Sequence, residues 1–170
     1  MTAPSDIPAS EAGLAFHEHD HTACASSALS AAETLCAERG KRLTPVRRRV
    51  LELLCESHVA MGAYDLLERL AVDGLGSKPP VVYRALDFLM AEGLVHRIER
   101  LNAYVACHHA TTPHTPLLMV CRECRAVSEG SAEVPQAALT AAAEALGFQL
   151  ERQIIEAEGL CPNCQEAMPE

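Results

Sequence analysis

The chain has 170 residues and a formal charge of −9, with 49% hydrophobic and 4% aromatic residues. This length fits one medium domain or two small ones, and the hydrophobic fraction excludes a wholly disordered protein. Every apolar run is shorter than the ~18 residues of a membrane-spanning helix, and the first residues do not resemble a signal peptide. We therefore expect a soluble, cytoplasmic protein with no membrane partner.

The charges are unevenly distributed along the chain. Residues 1–36 carry five acidic and no basic residues, whereas residues 37–101 carry eleven basic and nine acidic residues. Residues 102–170 carry three basic and nine acidic residues. A basic middle between acidic ends argues against indiscriminate nucleic-acid binding and leaves room for a directed basic patch.

The first half of the chain has the pattern of a winged helix. Residues 1–25 are rich in Ala, Ser, Pro and His without periodicity, which predicts a flexible tail. Helical periodicity and turn signals then predict four helices, at about 27–39, from 45 onward, at about 63–72, and from just after Ser77 to a stop at 93. The period changes at 94–100 and 103–106, which predicts a hairpin. Helices followed by a hairpin indicate a winged helix–turn–helix domain over 26–106.

The second half predicts a smaller domain. Residues 107–116 are rich in His, Thr and Pro and are predicted to form a hinge. The predicted elements beyond it are strands at 117–120 and 126–129, a helix at 135–146 and a strand at 148–158. A sheet this small has open edges, so we expect residues 117–170 to pair with a second copy of the chain. The predicted class is α+β, a winged helix followed by a small α/β dimerisation domain.

The second domain contains two C-x-x-C knuckles, formed by Cys121, Cys124, Cys161 and Cys164. A tight turn lets both sulfurs of a pair reach one ion, and two pairs complete a tetrahedral four-thiolate zinc site. The alternative is a redox pair, because C-x-x-C also occurs in thiol oxidoreductases. That alternative needs a βαβ unit directly after the motif, and none follows. The sequence therefore predicts a structural zinc site.

Other chemically active residues have ordinary interpretations. The His-rich tract at 17–21 is typical of a weak, exposed chelator. Cys36 and Cys55 adjoin apolar helical positions, where a thiol is commonly a small buried hydrophobe. The adjacent serine and histidine at 57–58 do not make a triad, and residues 74–78 lack the G-K-[ST] order of a P-loop. We identify no catalytic residue and predict that the protein is not an enzyme.

The fourth helix is the candidate for DNA recognition. Its outward residues Tyr83 and Arg84 precede its middle, where a docked helix meets base edges in the major groove, and Arg84 can pair with guanine O6 and N7. The basic residues placed to meet phosphates are Lys41, Arg42, Arg47, Arg48, Lys78, Arg97 and Arg100. An ordinary solvated basic face is the alternative.

Several motifs resemble the ferric uptake regulator (Fur) family over about residues 28–165. Three resemble its DNA-binding helices: RLTP (42–45), AYDLL (63–67) and KPPVVYRALDFL (78–89). Four resemble its zinc-sensing branch: VH (95–96), YVACH (104–108), PHT (113–115) and EAEGLC (156–161).

The resemblance implies a homodimeric repressor of zinc-uptake genes that binds a palindromic, AT-rich operator with zinc as corepressor. It implies two zinc ions per subunit, the structural ion at the knuckles and a regulatory ion at His96, Cys107, His114 and Glu129. Spacing alone does not select that second set, since His108 and His109 compete for the same role. Tyr64, in the motif of the third helix, joins the predicted DNA contacts.

Two alternatives remain at this point. A relative could sense iron, manganese or peroxide, but a thiolate ligand favours zinc over manganese or ferrous iron. The His-rich run that leads into the first knuckle of the iron-sensing branch is also absent from this sequence. The alternative from another class is a zinc-ribbon thiol oxidoreductase. Arg125 stands where the family usually has glycine, so we expect a different local turn there.

Overall fold

The computed structural model describes residues 16, 21–112, 114–131 and 133–167. Most of the predicted tail, and the His-rich tract at 17–20, lie outside the described residues. The chain divides into two units, and the first unit ends at Thr112. The second unit contains the described residues from His114 onward together with Phe16. This division falls inside the segment predicted as a hinge.

Four helices make up most of the first unit: α1 (His21–Glu38), α2 (Pro45–Cys55), α3 (Ala63–Val72) and α4 (Pro79–Ala91). The last three begin at Pro45, Ala63 and Pro79, each within one residue of the predicted start. However, α1 begins at His21 rather than near Ser27, so the predicted tail ended too late. The additional turns are stabilised by tertiary packing, because Ala25 contacts the core.

The core of the first unit lies between the four helices and the sheet beside them. Its largest fully buried side chains include Leu51, Leu53, Leu54, Leu66, Leu70, Leu86, Leu89 and Leu94. Cys36 and Cys55 are part of this core, with 2% and 5% of their surface exposed. The prediction that these two thiols act as buried hydrophobes is confirmed.

The wing of the first unit is a three-stranded antiparallel sheet. Its strands β1 (Met61–Gly62), β2 (Val95–Ile98) and β3 (Ala103–Ala106) follow the order β1-β3-β2. The predicted hairpin is present, but β2 ends at Ile98, earlier than predicted. The chain turns at Glu99, whose carbonyl accepts a hydrogen bond from the Asn102 amide at 3.2 Å. Sequence analysis missed β1, since two residues are too few to show a strand pattern.

The second unit contains a mixed sheet and two helices. Its elements are β4 (Pro116–Cys121), β5 (Val127–Ser131), α5 (Glu133–Ala145), β6 (Ile155–Gly159) and α6 (Pro162–Glu166). The central strand β4 is antiparallel to β5 and parallel to β6. The last strand is shorter than predicted, because β4 pairs with it only from Leu117 to Cys121. The one-turn helix α6 was missed, since so short a helix has no detectable periodicity.

The two units together confirm the predicted α+β class, with a winged helix followed by a small α/β unit. Among the helices within the described residues, none is both long and apolar enough to cross a membrane. The predicted recognition residues lie on α4 of the winged helix, and the end of β4 carries the first cysteine knuckle. These two regions carry the chemistry of the molecule.

Candidate metal centres and nucleic-acid interface

Four sulfurs converge at the end of β4 in the second unit. Cys121 ends β4 and Cys124 follows in the next turn, while Cys161 precedes α6 and Cys164 lies within it. Their sulfur atoms all lie within 4.8 Å of one another. One contact joins the two knuckles, with Cys124 Sγ 3.7 Å from Cys161 Sγ.

This spacing fits a zinc ion. Zinc bound to four thiolates at about 2.3 Å requires sulfurs about 3.8 Å apart in a tetrahedron. A redox pair would instead join the two cysteines of one knuckle. Because Cys124 and Cys161 belong to different knuckles, their contact favours the metal centre over the oxidoreductase alternative.

The backbone around the centre favours a negatively charged sulfur. Burial opposes ionisation of Cys121, but backbone amides of Cys124, Cys161 and Glu123 donate to its sulfur and lower its pKa to about 6. The amide of Cys161 lies 3.4 Å from that sulfur. The hydrogen bond with Cys161 raises the pKa of Cys164 to about 12, so this thiol keeps its proton at neutral pH until a cation binds.

The first knuckle closes through an unusual turn residue. The amide of Arg125 donates to the carbonyl of Cys121 at 3.0 Å, and the φ of Arg125 is 59°. This left-handed conformation costs a residue with a Cβ about 1–2 kcal/mol, whereas glycine adopts it freely. Arg125 therefore holds the turn that brings Cys124 back toward Cys121 at the expense of local strain.

His96 and Cys107 lie together on one face of the wing. His96 on β2 pairs with Val105 on β3, and Cys107 is two residues beyond Val105. Residues two apart on a strand point to the same side, so both side chains share a face. The Cys107 amide continues the ladder by donating to the Leu94 carbonyl at 2.9 Å. Both side chains are buried, with 7% and 4% of the residue surface exposed.

His114 and Glu129 are paired in the second unit. Glu129 lies on β5 opposite Leu118, and its Oε1 is 2.7 Å from His114 Nε2. The Glu129 side chain is only 3% exposed. A buried carboxylate requires a cation or hydrogen-bond donors to compensate its charge. Imidazole nitrogen and carboxylate oxygen are also zinc ligands, so the pair suits either an ion pair or half of a metal site.

The exposed face of α4 carries the predicted recognition residues. Tyr83 is 37% exposed, and the Nε of Arg84 donates to the Pro80 carbonyl at 3.1 Å one turn earlier. Lys78 is exposed at the N-terminal boundary of the helix. Tyr64, near the start of α3, is 66% exposed. These side chains are available to a nucleic-acid partner.

Arg47 is held against the recognition helix. Its guanidinium lies over the Phe88 ring, 3.6 Å from the ring centre, and donates to the Arg42 carbonyl at 2.7 Å. Arg42 itself is exposed. Sequence analysis did not anticipate the contact with Phe88, because the two residues lie on different helices and no local pattern links them.

Three other predicted phosphate contacts are paired with carboxylates. The pairs are Arg48 with Glu33 and Glu52, Lys41 with Glu92, and Arg97 with Glu99. Exposed ion pairs are weak, typically about 0–1 kcal/mol, so DNA phosphates can compete with them. The net positive charge of this surface is nevertheless lower than a count of its basic residues suggests.

A family model and curated relatives match this chain over most of its length. The model of the ferric uptake regulator family matches residues 38–157. The chain is 45% identical over 139 residues to the zinc uptake regulation protein of Escherichia coli (strain K12), which is 81% of each chain. The zinc uptake regulation protein of Shigella flexneri matches to the same extent.

Two solved structures are similar over most of the chain. One is a zinc uptake regulator complexed with zinc and DNA, with a TM-score of 0.80 and 44% identity over 84% of this chain and 96% of that one. The other is holo XcZur, with a TM-score of 0.75 and 42% identity over 82% of this chain and 98% of that one. The family match, the identity to curated relatives and the shared fold together show that the chain belongs to the ferric uptake regulator family.

Proposed function

We propose that the protein is a zinc-responsive transcriptional repressor that binds operator DNA as a zinc-loaded homodimer and represses zinc-uptake genes. The observation that carries this proposal is the 44% identity, at a TM-score of 0.80, to a zinc uptake regulator complexed with zinc and DNA. The four-sulfur centre and the exposed recognition face of α4 support it independently.

The structural ion belongs to the four cysteines of the second unit. Four thiolates bind zinc tightly in a closed site, and the free energy of binding becomes part of the free energy of folding. The second unit has few fully buried side chains, among them Leu118 and Val127. A core this thin needs the additional stabilisation, and the unit in turn presents a sheet edge for a second subunit.

We assign the regulatory ion to His96, Cys107, His114 and Glu129, which gives two zinc ions per subunit. Each pair already lies together within its own unit, His96 with Cys107 on the wing and His114 with Glu129 beside β4. Two imidazoles, one thiolate and one carboxylate suit zinc better than manganese. The ligands belong to segments that can separate without unfolding either unit, as a sensor requires.

The proposed control of DNA binding follows from linkage. Zinc has a higher affinity for the closed arrangement, in which both ligand pairs meet, than for any arrangement in which the pairs are apart. It therefore shifts the population toward the closed arrangement. If operator DNA selects the same arrangement, zinc and DNA must each tighten the binding of the other by the same factor.

DNA recognition is assigned to the winged helix of each subunit. Tyr83 and Arg84 on α4 would reach base edges in the major groove, where an arginine forks onto guanine. The residues assigned to the DNA backbone are Tyr64, Lys78, Arg42 and Arg47. Two such units related by dimer symmetry read a palindromic site, and we expect an AT-rich one.

The test is operator binding with the metal as the variable. Fluorescence anisotropy would measure binding of the protein to a labelled duplex, taken from the promoter of its own gene or from that of a zinc-transporter gene. The free concentration of Zn²⁺, Mn²⁺ or, under anaerobic conditions, Fe²⁺ would be raised stepwise in a metal buffer. We expect zinc to promote binding at the lowest free concentration and a chelator to reverse it. Stronger promotion by Fe²⁺ or Mn²⁺, or binding that ignores all three metals, would contradict the proposal.

A further inference from the structure

A thiol and two imidazoles outside both ligand sets lie together in the first unit. Cys24 Sγ, on α1, is 3.7 Å from His108 Nδ1. The ring of His108 packs at a tilt against the ring of His58, with the ring centres 4.8 Å apart. We propose that Cys24, His58 and His108 form a third zinc site.

The distances suit ligands of one tetrahedral ion. Zinc–sulfur and zinc–nitrogen bonds of about 2.3 Å and 2.0–2.1 Å place the two ligand atoms about 3.6 Å apart. Cys24 Sγ and His108 Nδ1 are separated by 3.7 Å. His58 has to turn one ring nitrogen toward Cys24, a rotation of its side chain that leaves its backbone in place.

Three separate segments supply these side chains. Cys24 lies at the end of the first turn of α1, His58 lies in the loop after α2, and His108 follows β3. His58 is buried, with 6% of its surface exposed, while Cys24 and His108 are partly buried.

The proposed site would add to the packing of Ala25 that stabilises the first turns of α1. The first turns of α1 precede the predicted helix start and have few large apolar side chains to hold them. An ion bound by Cys24 would attach these turns to the loop after α2 and to the connector after β3. Without an ion, the same contacts are a thiol–imidazole hydrogen bond and a tilted contact between two histidine rings.

The experiment measures zinc bound per full-length chain over a series of buffered free zinc concentrations. The variants are Cys24→Ala and His58→Gln, and Cys36→Ala is the matched control because Cys36 lies on the same helix but in the core. We expect the first two variants to bind one zinc fewer than wild type and the control to match wild type. The test compares the zinc content of each variant with that of wild type, and the expected difference is one ion. The result therefore does not depend on whether the proposed regulatory site binds zinc.

Two further measurements separate this site from other sources of zinc. With Co²⁺ in place of zinc, Cys24→Ala should lose part of the sulfur-to-metal charge-transfer absorption that Cys36→Ala retains. Deletion of residues 2–20 removes most of the His-rich tract, and the additional ion should remain bound. Equal zinc content in wild type and Cys24→Ala at every concentration, or loss of the additional ion only in the deletion variant, would overturn the proposal.

Discussion

The guanidinium of Arg47 on α2 lies 3.6 Å from the centre of the Phe88 ring on α4. The Phe88 ring is partly buried, and a cation over an aromatic ring near the surface gains about 0.5–1 kcal/mol while it loses side-chain freedom. Phe88 lies on the recognition helix, so the contact fixes the arginine beside the surface that we assign to DNA. The ring therefore positions the guanidinium that we assign to a DNA phosphate.

Arg47→Ala should weaken binding to operator and random duplexes equally. Loss of one phosphate contact reduces by about one the slope of the logarithm of the binding constant against the logarithm of the salt concentration. Anisotropy titrations at several salt concentrations measure this slope. Arg47→Lys serves as the control, because it keeps the charge and loses the flat stacking group. An unchanged slope in Arg47→Ala would show that Arg47 meets no phosphate.

Arg84→Ala should instead reduce specificity. A bidentate contact to guanine is worth about 1–3 kcal/mol against the wrong base, so the operator affinity should fall while the affinity for random DNA stays. The comparison uses both duplexes at one salt concentration, with Arg152→Ala in the second unit as the control. Equal losses on both duplexes would limit Arg84 to a backbone contact.

Arg125→Gly should stabilise the protein. The φ of Arg125 is 59°, and relief of its strain exceeds the added entropy of glycine in the unfolded chain by about 0.5–1 kcal/mol. Chemical denaturation of the zinc-loaded protein would measure the change. A variant less stable than wild type would show that the arginine side chain contributes more than its backbone conformation costs.

Much of the first unit was predictable from the sequence because its signals are local. Pro45 and Pro79 start helices, and Leu66, Leu67 and Leu70 repeat on the buried face of α3. The two knuckles were equally predictable, since their spacing is set by the geometry of zinc.

The features that were missed depend on contacts distant in sequence. The start of α1 depends on packing of Ala25 against the core, and the start of β6 depends on where its parallel neighbour β4 begins. The regulatory ligand set shows the same limit, because spacing could not distinguish Cys107 and His114 from His108 and His109. His108 in fact lies beside Cys24 and His58.

The four-cysteine centre should be necessary for the fold. Structural zinc sites contribute about 10–16 kcal/mol in small domains, which is comparable to the entire stability of a domain. Cys164→Ser should therefore unfold the second unit and abolish the dimer even with zinc in excess. Circular dichroism and sedimentation would measure both effects, and a folded dimeric variant would contradict the structural role.

The most direct test of the account is operator binding by Cys107→Ser as free zinc is raised. Cys107 belongs to the proposed regulatory set and lies outside the four-cysteine centre, so the variant should remain a folded dimer and retain its structural zinc. We predict that its operator affinity no longer rises over the zinc range in which wild type changes by more than tenfold. A zinc response with the same midpoint and amplitude as wild type would contradict the assignment of the regulatory site.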